Sequence, residues 1–336
     1  MAILSGMRPI IIATRGSALA LAQANTVLAE CRSAMPSANF ELRIIKTTGD
    51  KMQTGAMGGN DQVPKGLFTK ELETALLAGE ADLAVHSLKD LPTELPSGLI
   101  LGGVSQRADP RDMLIFRDAS AARDPKFRGL SPSGGVKDLP AAAVVATSST
   151  RRQAQLLELR PDLKLVPIRG NVGTRLQRLH ERSELDALVL AAAGLARLHI
   201  VRGEQGTLRG PGVPDGLIGV PFSFAEMIPC VGQAALGYEI RQDDEQMMEL
   251  CRRLTHIETR QCVIAERAFL FAMGGGCLSP VAAHAQAEGG QLRMRAVSYR
   301  DGVTSRAEEA LPLSEAEALG KLVAQRLHPV TAQTVG

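Results

Sequence analysis

At 336 residues the chain exceeds one ordinary domain of ~100 to 200 residues, and its 45% hydrophobic and 22% charged residues supply apolar material for two or three cores. A formal net charge of +2 argues against a global basic field for nucleic acid, and 8 Phe, 2 Tyr and no Trp leave few rings for a base-stacking surface. The five cysteines (Cys31, Cys230, Cys251, Cys262 and Cys277) form an odd set without a CxxC pair, against a disulfide framework or a structural zinc site and consistent with a reducing cytoplasm.

The first predicted elements are a strand over Pro9 to Thr14, a helix from Ser17, a strand over Glu41 to Thr47, a helix from Leu67 and a strand over Asp82 to His86. Short aliphatic runs alternating with helical stretches are βαβ grammar. After a Pro/Gly/Ser-rich insert, Asp124 to Gly135, the pattern restarts with Ala143 to Thr147, a helix from Ser149, Lys164 to Arg169, a helix from Asn171 and Asp186 to Ala191. The amino terminus has one apolar run, Ile10 to Ala13, without a long h-region, and the longest apolar stretch, Ala187 to Ala196, falls short of the ~20 residues that span a bilayer, so neither an export signal nor a membrane segment is read. Two consecutive helices follow, Asp243 to Leu254 and Ile257 to Met273, then strand-like segments at Val281 to Gln286 and Gln291 to Tyr299 and a last helix from Ser314. That order predicts a third, smaller α+β domain. Thr48 to Gly66 and Val201 to Ala225 are long for plain connections and read as binding loops, lids or disordered segments.

The placement of arginine carries the chemical signal. In Thr147-Ser148-Ser149-Thr150-Arg151-Arg152 a strand ends, a serine offers a cap, and two cations enter the first helical turn. Helix N-termini already carry about half a positive charge, so each cation there costs roughly 0.3 to 1 kcal/mol unless an anion sits against it. Arg169-Gly170-Asn171 leading to Arg175, and Thr14-Arg15-Gly16-Ser17, repeat the arrangement. Any one arginine alone reads as a solvated surface residue paired with a local acid. Three junctions at the carboxyl ends of strands point to a multiply charged anion, carboxylate or phosphate.

Two further strings stand out. His86-Ser87-Leu88-Lys89-Asp90-Leu91-Pro92 places an acid among the cationic junctions, where it serves either a turn or chemistry on a cationic part of the ligand. Gly274-Gly275-Gly276-Cys277 leaves a thiol sterically open, although a buried inert cysteine is the commoner outcome of such a string.

Taken together the strings resemble the porphobilinogen deaminase family: ATRGS at 13–17, KGLFTKELE at 65–73, ADLAVHSLKDLP at 81–92, TSSTRRQAQL at 147–156, RGNVGTRL at 169–176, AAAGLARL at 191–198, VGQAALG at 231–237 and GGGC at 274–277, in the family's order. The resemblance implies a monomer with two periplasmic-binding-protein-like α/β domains and a smaller α+β C-terminal domain, divided as 1–106 with 235–252, 107–234 and 253–336. It implies a dipyrromethane cofactor held by a thioether to Cys277, with Asp90 as the catalytic carboxylate. Lys89, Arg15, Ser17, Ser87, Ser149, Arg151, Arg152, Arg169, Gly170 and Arg175 become cofactor binders. Arg15, Ser17, Lys65, Phe68, Arg169, Arg175, Arg197 and Gln233 become substrate binders. The implied reaction joins four porphobilinogen molecules head to tail, with loss of ammonia, and releases hydroxymethylbilane.

The chain departs from the family pattern at Val63-Pro64-Lys65-Gly66, at Asp61, and at Ala234 where a glycine is usual; segments 124–135 and 203–222 are longer than expected. The competing reading is a non-catalytic anion-binding protein of the periplasmic type, which leaves Asp90 and Cys277 unexplained. A nucleotide-dependent enzyme is disfavoured by the absence of GxxxxGK[ST] or a GxGxxG in its proper context.

Overall fold

The structure is a computed structural model in which residues 8–49, 68–120, 126–275 and 279–327 are described. Cys277, Lys65, Pro64 and Asp61 lie outside the described residues.

Aliphatic strands and capped helices build the first layer: β1 (Ile10–Arg15), α1 (Ala18–Ala34), β2 (Phe40–Ile45), α2 (Lys70–Leu77), β3 (Leu83–Ser87) and β4 (Leu99–Val104). Ser17 caps α1 by accepting from the Ala20 N–H at 3.2 Å. Ala24, Val27, Leu28 and Cys31, three and four residues apart, give α1 one buried face. The second layer contains β5 (Asp112–Arg117), β6 (Val144–Ala146), α3 (Thr150–Leu159), β7 (Lys164–Val166), α4 (Val172–Glu181), β8 (Ala187–Ala191), α5 (Ala192–Arg197), a ribbon of β9 (Val201–Arg202) with β10 (Leu208–Arg209), and β11 (Leu217–Pro221). Then come β12 (Leu236–Arg241), α6 (Glu245–Leu254), α7 (Ile257–Ala272), β13 (Val281–Glu288), β14 (Gln291–Ser298), β15 (Ser305–Pro312) and α8 (Ala316–Leu327).

The first sheet has the order β2-β1-β3-β12-β4 and the second β7-β6-β8-β5-β11. In each, three parallel strands are followed by one antiparallel strand and an edge strand antiparallel to it. The antiparallel strand is exchanged: β5 follows β4 in sequence yet enters the second sheet, and β12 follows β11 yet enters the first. The chain therefore crosses between layers twice, at 105–111 and 222–235. The third sheet, β13-β14-β15, is an antiparallel meander covered by α7 and α8.

Each layer has its own core. Ile12, Phe40, Leu83 and Tyr238 anchor the first, Ile115, Leu176 and Leu188 the second, and Phe269, Leu292 and Leu319 the third. Strands β4, β5, β9, β10, β11, β12 and β15 and helix α5 were not among the predicted elements. The segment Val201 to Ala225, expected as a binding loop, lid or disordered segment, instead supplies β9, β10 and β11, the last closing one edge of the second sheet against β5. The described part of the 124–135 insert also packs on the second layer. Its Phe127 ring lies 5.0 Å from the Arg117 guanidinium, and Arg128 pairs with Asp186 at 2.6 Å.

Candidate active site

The segments that follow β3 of the first layer and β6 of the second line one cavity, at the carboxyl ends of their strands. Strand β3 runs out at Ser87 into a short 3-10 turn, Leu88–Asp90. Leu88 is buried and its N–H donates to the Ala235 carbonyl at 3.1 Å, which fixes the turn against the second crossing. Lys89 is half-buried and Asp90 exposed. Burial pushes the Lys89 ammonium below its usual pKa; Asp90 opposes that and Arg152 adds to it. Arg175, on α4 of the second layer, is likewise lowered by burial and by Arg152 and Arg178, with Asp90 acting the other way. The first-layer acid is thus in electrostatic reach of second-layer cations. Lys89, Ser149, Arg151, Cys230 and Gly275 share a cavity wall.

Arg151 and Arg152 have an acid of the chain itself as partner. Their position in the first turn of α3 suggested cations awaiting an external anion, but both side chains are buried on Asp112, which is itself fully buried. Arg151 reaches one carboxylate oxygen at 2.8 Å and Arg152 the other at 2.7 Å; Arg151 also donates to the Ile228 carbonyl and Arg152 to that of Val189. Burial works against the Asp112 anion, yet the two guanidiniums hold it well below the usual carboxylate range. Two cations still face one anion, and the Arg151 Nε is buried without a hydrogen-bond partner. Gln233 belongs to the same knot. It is 1% exposed and its amide N–H2 donates to Asp112 at 3.0 Å and to the Pro110 carbonyl at 2.7 Å, leaving Oε1 unpartnered.

The remaining sites are distributed along the rim. The Arg15 guanidinium lies 4.2 Å from the Phe68 ring centre, in cation–π contact. Ser87 exchanges hydrogen bonds with Gln23 at 2.8 and 3.1 Å. Ser149 caps α3 through the Arg152 N–H at 3.4 Å. Arg169 is exposed, and Gly170 has φ of +104°, where a Cβ would meet the Thr174 side chain at 2.9 Å. Arg175 donates to the Gly170 carbonyl at 2.8 Å, which bends the guanidinium back over the loop. Arg197 donates to the Ala234 carbonyl at 2.6 Å, and burial pushes its pKa down to about 10. Ala234 itself has φ of +75°, the left-handed conformation in which the usual glycine would be unstrained.

The sequence reading missed Asp112, Glu266, Arg107 and Arg267. Glu266, fully buried on α7, accepts from Arg107 at 2.6 and 3.0 Å, from the Gly232 N–H at 2.7 Å and from the Ala285 N–H at 2.8 Å. One carboxylate therefore ties both crossings to the third sheet. The signal in the sequence was an acid on the apolar face of a helix, which a buried position must pair. Among the described residues no group of three or more His, Cys, Asp and Glu side chains is placed to hold a metal ion, and no helix is long and apolar enough to cross a membrane.

Two family models cover most of the chain: porphobilinogen deaminase, dipyromethane cofactor binding domain, over residues 10–249, and porphobilinogen deaminase, C-terminal domain, over 260–328. The chain belongs to the porphobilinogen deaminase family. Porphobilinogen deaminase of Desulforudis audaxviator is 45% identical over 95% of this chain and 94% of its own, and that of Thermus thermophilus is 44% identical over 94% and 93%. Substrate binding domain 2 of Lactococcus lactis GlnP overlaps 82% of this chain and 94% of its own at 11% identity with a TM-score of 0.39. The porphobilinogen deaminase architecture of two like α/β layers and an α+β domain rests on the strand orders, not on that overlap.

Proposed function

We propose that the chain catalyses the stepwise condensation of four porphobilinogen molecules, with release of ammonia, to hydroxymethylbilane, as a monomer in the cytoplasm. The observation that supports it most is the cleft's charge: Arg151, Arg152 and Arg175 converge where Asp112 is the buried acid, which leaves cationic capacity for a ligand bearing several carboxylates. The buried, unpartnered Arg151 Nε and the apolar wall of Leu88, Val231 and Leu270 suit an oligopyrrole with acidic side chains. A dipyrromethane linked through Cys277 fits these residues, with Lys89, Ser149, Arg151, Arg152 and Arg175 holding its carboxylates. When bound, it supplies the primer ring to which substrate rings are added.

In this reading Asp90 acts at the mouth of the cleft. Its carboxylate accepts from pyrrole N–H groups, holds the reacting rings in register, and offsets the positive charge that develops as the amine leaves. Arg15, stacked on Phe68, with Ser17, Arg169 and Arg197 takes the acetate and propionate of the incoming substrate, and Lys65 and Cys277 take their parts from outside the described residues. Residues 1–106 with 235–252, 107–234 and 253–336 form the three domains, a division that the exchanged strands β5 and β12 support.

The test combines mass and turnover. Intact mass should exceed the chain's own by two linked pyrrole units, mapped to Cys277, and Cys277→Ser should lose both the mass and the activity. Asp90→Asn should keep the mass while bilane formation falls by ~100-fold or more. An unmodified, fully active enzyme contradicts the cofactor assignment, and wild-type turnover in Asp90→Asn contradicts the role of the acid.

A further inference from the structure

Three consecutive main-chain carbonyls behind Asp90 are held by one side chain from the third domain. The Arg267 guanidinium, on α7, donates to Leu91 O at 3.2 Å, to Pro92 O at 2.6 Å and to Thr93 O at 3.1 Å. Pro92 has no N–H, so this stretch cannot be fixed by a regular ladder. A planar guanidinium can span several acceptors where an ammonium acts as a compact point charge. On the other side, Leu88 is fixed to the Ala235 carbonyl, so the turn bearing Asp90 is gripped before and behind. Helix α7 then continues to Ala272 and leads into Gly274-Gly275, with Gly275 on the same cavity wall as Arg267 and Lys89.

We propose that Arg267 is a positioning residue that sets the Asp90 turn in register with Gly275 at the end of α7, so that one rigid helix fixes the acid relative to the cavity wall on which both lie. The proposal rests on the roles given above to Asp90 and Cys277. A movement of the third domain is passed to Asp90 through these three hydrogen bonds, and misplacement by ~1 Å of a group in a reacting constellation costs on the order of 100-fold in rate. Arg267 acts through Asp90 and has no independent part in holding substrate.

The experiment compares Arg267→Gln, Arg267→Lys, Asp90→Asn and the double variant Asp90→Asn/Arg267→Gln as cofactor-loaded proteins, with loading read by intact mass. Arg267→Gln should lower kcat by about 10- to 100-fold with little change in KM for porphobilinogen. Arg267→Lys should recover part of that loss, and the double variant should be no slower than Asp90→Asn alone. Wild-type kcat in loaded Arg267→Gln overturns the proposal. So does a raised KM with fully additive losses in the double variant, which would make Arg267 a substrate ligand. Wild-type turnover in Asp90→Asn instead overturns the role of Asp90 that the proposal builds on. Should Arg267→Gln fail to load, Arg267→Lys and Asp90→Asn/Arg267→Lys carry the same comparison, and a raised KM with fully additive losses there overturns the proposal.

Discussion

At the scale of single residues, Asp112 decides what the paired arginines can tell. Arg151 and Arg152 both rest on it, so replacing both with methionine strands a buried carboxylate, a loss of about 3–5 kcal/mol for a broken buried pair. The double variant should melt well below the parent or fail to accumulate. Adding Asp112→Asn removes the stranded charge and should restore soluble, folded protein that still lacks the pyrrole mass. Recovery of normal loading in that triple variant would show that the arginines serve the fold alone. Their position at a strand-to-helix junction was legible in the sequence, because cations in a first helical turn oppose the dipole. Their protein partner was not, because Asp112 lies about 40 positions earlier, on a strand of the same layer that was not among the predicted elements.

At the scale of elements, the parallel strands and the helices other than the uncapped α5 were legible because caps and aliphatic runs are local signals. Ser17, Ser149 and Asn171 cap α1, α3 and α4 as such residues do at helix starts. Strand β5, Asp112–Arg117, is buried along its whole length, and its run of apolar residues was within reach of the sequence. Strand β15 alternates half-buried and exposed positions in small and charged residues, a weak pattern that only its pairing with β14 turns into structure. Packing of α7 on α8 depends on a close approach at Gly320, where a Cβ would run into the Ala265 carbonyl oxygen and come within 2.8 Å of the Phe269 nitrogen. Gly320→Ala should force the helices apart and cost about 1–3 kcal/mol. Limited proteolysis should then cut within 253–327 first, and an unchanged digestion pattern and melting midpoint would contradict this packing.

At the scale of the whole molecule, the third domain is joined to the crossings by groups that respond to pH. His284 on β13 stacks on Phe224 of the second crossing, with ring centres 4.5 Å apart. Burial pushes its pKa down to about 4, against the opposing pull of Glu266, with Arg107 and Arg295 adding to the lowering and Asp109 resisting it. The folded state therefore prefers the neutral ring. This contribution to stability is complete above the unfolded value of about 6.5 and is lost as pH falls from there toward about 4, by at most about 1.4 kcal/mol per pH unit. The melting midpoint should fall across that window, and His284→Gln should flatten the fall. An identical pH profile in the variant would assign the acid sensitivity to other groups.

The exchange of β5 and β12 also orders events on the ribosome. The second sheet has all its strands once Pro221 has been made, whereas the first waits for β12 to fill the place between β3 and β4. That strand follows β4 by on the order of 130 residues, which at ~5–20 residues per second is on the order of 7–26 s of synthesis with two strand edges unfilled. The layer begun first is thus completed after the second, and the Asp90 turn, whose Leu88 N–H waits for the Ala235 carbonyl, gains that support only as the gap closes.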